Sequence, residues 1–165
     1  MIITLTGYMG CGKSSVGREL ASQLSVPFID LDSYIEHKIG SSIPDILAEG
    51  EDKFRAIEAE ALRDVIIMRE IQDESAVISL GGGTITIKAI WHLLSGHTTC
   101  IYLRTSIETI CQRLGDDTSS RPLFNRERYF QRLPLYEKAH LTVDTDGKEP
   151  AAIADEIKRL LKNND

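Results

Sequence analysis

The 165-residue chain has no apolar run approaching the ~18 residues of a membrane span, so a helical transmembrane segment is not expected. It lacks a charged N-terminal stretch leading into an apolar segment and a cleavage site, so no signal peptide is read. Cysteines are few and odd in number: Cys11, Cys100 and Cys111 show no metal-ligand spacing, which argues against a disulfide framework and a zinc site. Free thiols suit a reducing compartment, and a cytoplasmic location is expected. The four histidines, His37, His92, His97 and His140, are scattered without ligand spacing and receive no chemical role. Positive charge is not in excess: 19 basic against 25 acidic side chains give a net charge of −6. Such a surface repels phosphate polymers and anionic membranes, so neither nucleic acid nor membrane is an expected partner. No repeat, low-complexity tract or linker divides the chain, which reads as one domain over residues 1–165. No long apolar heptad suggests assembly, and a monomer is expected.

What is present is an ordinary globular composition, 42% hydrophobic and 27% charged, arranged in alternation. Short β-branched runs at Ile2–Thr6, Phe28–Leu31, Ala76–Leu80, Thr99–Leu103 and Leu141–Val143 read as buried strands. Between them lie helical patterns at Lys13–Leu24, Ser33–Ile39, Pro44–Ala48, Glu51–Gln72, Ile87–Leu94, Ile107–Leu114, about Asn125–Ala139 and Pro150–Leu161. The polar run Asp116–Pro122 reads as a surface loop. Five strands alternating with helices specify an α/β fold: a five-stranded parallel sheet with helices on both faces. Ligands in such folds bind beyond the carboxyl ends of the strands.

Gly7-Tyr-Met-Gly-Cys-Gly-Lys13-Ser14 matches G-x-x-x-x-G-K-[ST] between a strand and a helix. Glycines let successive N–H groups converge on an anion, and the helix beginning near Lys13 adds its positive dipole end. Lys13 supplies a point charge for the β- and γ-phosphates, and the Ser14 hydroxyl can ligate Mg²⁺. The chain is therefore expected to bind a nucleoside triphosphate. The size of the chain and the absence of an N-K-x-D motif favour a small-molecule kinase over a GTPase or motor ATPase.

Candidate acceptor-binding groups lie downstream. Asp30 and Asp32 end the second strand, two residues apart and so on one side; a cap for a helix from Ser33 is the competing reading, chiefly for Asp32. In Gly50-Glu-x-x-Phe54-Arg55-x-x-Glu58, Arg55 offers a fork for a carboxylate and Glu58 stands one turn on, although a surface salt bridge explains that pair as well. Gly81-Gly82-Gly83 after a buried strand would let a ligand touch backbone, or is a loose turn. Arg121 lies in the polar loop, where a lid needs a cation, and Arg132 lies in Arg132-x-Pro-Leu-Tyr136. A gluconate or nucleotide kinase, or a non-catalytic ATP-binding protein, are the competing readings.

In order and spacing, GYMGCGKSS, FIDLDSYIE, GEDKFRAIE, SLGGGT, SRPL and RLPLYEKA closely resemble the shikimate kinase family over nearly the whole chain. The resemblance implies a P-loop kinase fold with a helical substrate-binding region (about 32–62) and a mobile lid (about 115–126). It implies transfer of the γ-phosphate of ATP to the 3-hydroxyl of shikimate, on the route to chorismate and the aromatic amino acids. By the same resemblance Gly10, Cys11, Gly12, Lys13, Ser14 and Ser15 would bind the ATP phosphates, with Ser14 on Mg²⁺ and Asp30 holding Mg²⁺ through water. Asp32 would bind the hydroxyls beside the reacting oxygen, Arg55 and Arg132 would clamp the carboxylate, and Gly82 would offer backbone contacts. Arg121 would be the lid arginine, Arg113 an adenine-stacking residue, and Lys148 a further adenine neighbour. The segment Ile43–Gly50 is one residue shorter than the family pattern, with Leu47 where Phe is usual. Lys13, Asp32 and Arg121 are the expected catalytic residues. An aspartate with the ordinary pKa of about 3.9 is a poor base for an alcohol, so Asp32 is expected chiefly to orient the hydroxyl.

Overall fold

Residues 1–114 and 125–164 are described by a computed structural model of the chain. Arg121 and most of the expected lid lie outside the described residues. Strands β1 (Ile2–Thr6), β2 (Phe28–Asp30), β3 (Ala76–Ser79), β4 (Thr99–Arg104) and β5 (Leu141–Asp144) form one parallel sheet in the order β2-β3-β1-β4-β5. The strands read as continuous apolar runs because both faces are covered. Ile3, Leu5, Val77, Ile101, Leu103 and Val143 meet helices α1 (Lys13–Leu24) and α8 (Pro150–Asn163) through Val16, Leu20, Ile153 and Ile157. The alternate residues Ile2, Ile78, Cys100 and Tyr102 share the opposite core with α2 (Leu31–Ile39), α3 (Ile43–Ala48), α4 (Glu51–Ile71), α5 (Trp91–His97), α6 (Ile107–Leu114) and α7 (Arg126–Tyr136). Among the described residues no helix is long and apolar enough to cross a membrane.

Helix α1 lies so close to β2 that a Cβ at Gly17 would stand 2.5 Å from Phe28 Cε2. Overpacking of about 1–3 kcal/mol should outweigh the ~1 kcal/mol of helix propensity that alanine adds. Gly17→Ala is thus expected to lower the urea midpoint, and a midpoint at or above that of the parent would contradict this packing.

Two expected boundaries move. Strand β2 ends at Asp30 and α2 begins at Leu31, so Asp32 occupies the first helical turn rather than a strand end. The side-by-side placement expected from strand alternation is therefore not the one that occurs. Asp30 is the cap, its Oδ1 accepting from the Ser33 N–H at 3.0 Å. The helix expected over Ile87–Leu94 is replaced by two 3₁₀ turns, Thr84–Thr86 and Lys88–Ile90, followed by α5. The buried residues here are Thr84, Ile85, Ile90 and Leu94, and the five-residue step from Ile85 to Ile90 does not stay on one α-helical face.

The strand register places Leu5 and Asp30 opposite Ser79, so the carboxyl ends of β1, β2 and β3 finish together. The loops leaving those three ends build the crevice.

Candidate active site

The loop after β1 turns into α1 through Gly12, whose φ of 90° is a left-handed conformation that glycine adopts freely. Lys13 folds back over this loop: its Nζ donates to the Gly7 carbonyl at 2.7 Å and the Tyr8 carbonyl at 3.1 Å, with Cys11 Sγ at 3.7 Å. The sulfur is the weakest of these acceptors and the one most readily exchanged for a phosphate oxygen. Cys11 itself is buried against Gly7, so its contribution to a ligand is through backbone. Ser14 Oγ donates to Asp30 Oδ2 at 3.0 Å, and the other oxygen of Asp30 caps α2. One carboxylate thus fastens the first turn of α2 to the first turn of α1. Ser15 is exposed at the cavity edge, and Arg113 donates to the Gly10 carbonyl at 3.1 Å.

The opposite wall is built on the three glycines, and Gly81 and Gly83 each leave room for a side chain of α4. A Cβ at Gly81 would stand 2.8 Å from Glu58 Oε2 and 3.3 Å from Asp32 Oδ1. At Gly82 it would stand 3.8 Å from Arg132 Nη1, and at Gly83 only 2.2 Å from Arg55 Nη2. The two arginines therefore lie against neighbouring residues of one turn. Glu58 is 0% exposed, which settles the salt-bridge question: Oε1 accepts from Arg55 Nη1 at 2.7 Å and Oε2 from Thr84 Oγ1 at 2.6 Å. Arg55 also meets Glu51 at 3.4 Å, while the Arg132 guanidinium lies 5.8 Å from the Tyr8 ring centroid.

A single cavity of about 670 Å³ is lined by Lys13, Ser14, Asp30, Asp32, Arg55 and Arg132. That volume suits a nucleotide together with a small second molecule. Gly10, Cys11, Gly12, Gly82, Arg113 and Lys148 also reach it; Lys148 pairs with Glu156 at 2.9 Å. Ile43 and Leu47 contribute the apolar part of the wall. Two covered polar atoms here have no hydrogen-bond partner among the described residues, Asp32 Oδ1 and Arg55 Nε. Burial first, then the neighbouring Glu58 and Asp30, raise the Asp32 carboxyl to about 6 against the opposing charge of Lys13. The ordinary carboxylate pKa expected from sequence does not hold, because two other carboxylates share this poorly hydrated volume.

The family model described as shikimate kinase matches residues 9–162. The chain belongs to the shikimate kinase family. A shikimate kinase of Thermus thermophilus is 42% identical over 96% of this chain and 89% of its own length. That of Moorella thermoacetica is 40% identical over 97% of this chain and 94% of its own length. The structure of a shikimate kinase from Acinetobacter baumannii in complex with shikimate superimposes with a TM-score of 0.86 at 35% identity, covering 99% of this chain and 93% of that one. In this shikimate kinase family member the motifs give neither the full burial of Glu58 nor the bond of Tyr136 to Gly82. Glu58 stands on the apolar stripe of α4, four residues from both Phe54 and Leu62, and that position was the available signal of its burial. Tyr136 was quoted only as part of the Arg132 motif, yet its hydroxyl donates to the Gly82 carbonyl at 2.6 Å.

Proposed function

We propose that the chain transfers the γ-phosphoryl group of ATP to the 3-hydroxyl of shikimate, with Mg²⁺ as cofactor, giving ADP and shikimate 3-phosphate. The observation that carries this reading is the meeting of the phosphate loop with Arg55, Arg132 and Asp32 in one cavity. Ser14 Oγ and Asp30 Oδ2, 3.0 Å apart at the mouth of the phosphate loop, are hard oxygen donors of the kind Mg²⁺ takes when phosphates complete its shell. Bound there, Mg²⁺ would supply neutralisation of phosphate charge.

The chain's own groups divide the work. Gly10, Gly12, Ser15 and the backbone at Cys11 hold the triphosphate, and Lys13 gives up its sulfur contact to a phosphate oxygen. Arg113 and Lys148 edge the nucleotide end. Residues 32–62 form the acid-binding region, in which Arg55 and Arg132 take the carboxylate and the Gly82 backbone stands beside it. Asp32 orients the attacking hydroxyl and accepts its proton at Oδ1, the oxygen without another partner. Its raised pKa makes it a better acceptor than an exposed aspartate, although a loose phosphoryl-transfer transition state asks more of positioning and charge than of base strength.

An ADP-release assay offered shikimate, gluconate and nucleoside monophosphates tests the reading. Shikimate is expected to exceed the others in kcat/KM by about 10²-fold or more, since buried polar groups left unpaired discriminate strongly. Equal turnover of gluconate or a nucleotide would transfer the chain to another acceptor class.

A further inference from the structure

We infer that Tyr136 is a positioning residue for Arg132, setting the guanidinium against the Gly82 peptide without touching the acid itself. The inference rests on the shikimate reading above and deepens it. Tyr136 is 0% exposed, and its ring lies stacked on Tyr102 with centroids 5.1 Å apart and planes 20° from parallel, so the hydroxyl has a fixed place. The single phenolic proton goes to the Gly82 carbonyl at 2.6 Å. Arg132 sits one helical turn earlier on the same face of α7. Both groups meet the same peptide: the hydroxyl is on the Gly82 carbonyl, and a Cβ at Gly82 would lie 3.8 Å from Arg132 Nη1. The Tyr8 ring flanks the same group at 5.8 Å.

Charge explains why a neutral oxygen serves here. Arg55 is held by the buried carboxylate of Glu58, and that pair cancels. Among the described residues Arg132 has no carboxylate partner, so it brings an uncompensated positive charge to a monoanion. A carboxylate behind Arg132 would fix the fork equally well but remove that charge; a tyrosine hydroxyl fixes it and leaves the charge intact.

The test is Tyr136→Phe, which deletes one oxygen, measured with the full chain, ATP and Mg²⁺. KM for shikimate should rise about tenfold, the scale of one charge-assisted hydrogen bond, while kcat and KM for ATP stay within about twofold. In an Arg132→Ala background the same substitution should add less than about twofold, because its effect travels through Arg132. An unchanged KM in a folded variant, or an equal rise in both backgrounds, overturns the proposal. If Tyr136→Phe does not fold, a crystal structure of the parent with shikimate decides. A Tyr136 oxygen within hydrogen-bond reach of the nitrogens of Arg132 supports it, and a guanidinium turned away overturns it. Parent protein that does not turn over shikimate removes the underlying reading instead.

Discussion

In Asp32→Asn, kcat with ATP and shikimate is expected to fall by about 10²–10⁴-fold, the usual range for loss of a positioned proton acceptor. The ligand-free variant should at the same time be harder to unfold at neutral pH. The carboxyl is raised from 3.8 to about 6 by burial and by Glu58 and Asp30, so the charged form is disfavoured in the folded state. Its contribution to stability is fully present below pH 3.8 and is lost as pH rises through 6, a loss of about 3 kcal/mol at most. The asparagine variant does not titrate and escapes that loss, less the cost of its partly unpaired amide. Urea unfolding without Mg²⁺ or nucleotide should show the variant ahead at pH 7.5 and the difference closing towards pH 4. In the parent, kcat/KM should fall on the acid side as Asp32 takes up its proton. A parent as stable as the variant at pH 7.5 would contradict the crowding of carboxylates described here.

The second large effect concerns Arg55. Arg55→Ala should raise KM for shikimate by roughly 10–100-fold, given about 1.5–3 kcal/mol for a hydrogen bond to a charged group. Gly83→Ala should nearly reproduce it with the arginine still present. Gly83 has φ of −103°, which alanine adopts without strain, so backbone conformation is not the obstacle. The obstacle is the guanidinium, whose Nη2 and Cζ would lie 2.2 and 2.6 Å from the new methyl group. Arg55 must leave its place against the turn while Glu58 keeps its bond to Thr84. Steady-state kinetics alongside thermal unfolding would separate the outcomes. A Gly83→Ala protein with normal KM would mean that Arg55 binds the acid from elsewhere.

Most of the sheet was legible because a buried parallel strand is a short apolar run and the helices between carry their own periodicity. The phosphate loop was legible because its chemistry is contiguous. What local pattern could not supply were partners distant in sequence. Glu58 looks like half of an i, i+3 surface pair until Thr84, 26 residues away, is found on its second oxygen. Tyr136 and Gly82, 54 residues apart, meet only because α7 packs beside the turn after β3. The shift of α2 to Leu31 was hidden by two aspartates that are both good caps, and the contact of Asp30 with Ser14 decides between them. The carboxyl pKa of Asp32 was out of reach for the same reason: it depends on neighbours brought by α4 and by the end of β2.

Two glycines, Gly81 and Gly83, whose missing side chains are replaced by Glu58 and Arg55, make the turn after β3 a record of decisions taken on α4. Change there should be inherited in pairs. Alanine at position 81 would collide with Glu58 Oε2, built at 2.8 Å, and survive selection chiefly beside a shortened acid such as Glu58→Asp. A library randomised at 81 and 83 alone would return glycine, whereas one that also varies 55 and 58 would recover compensated combinations.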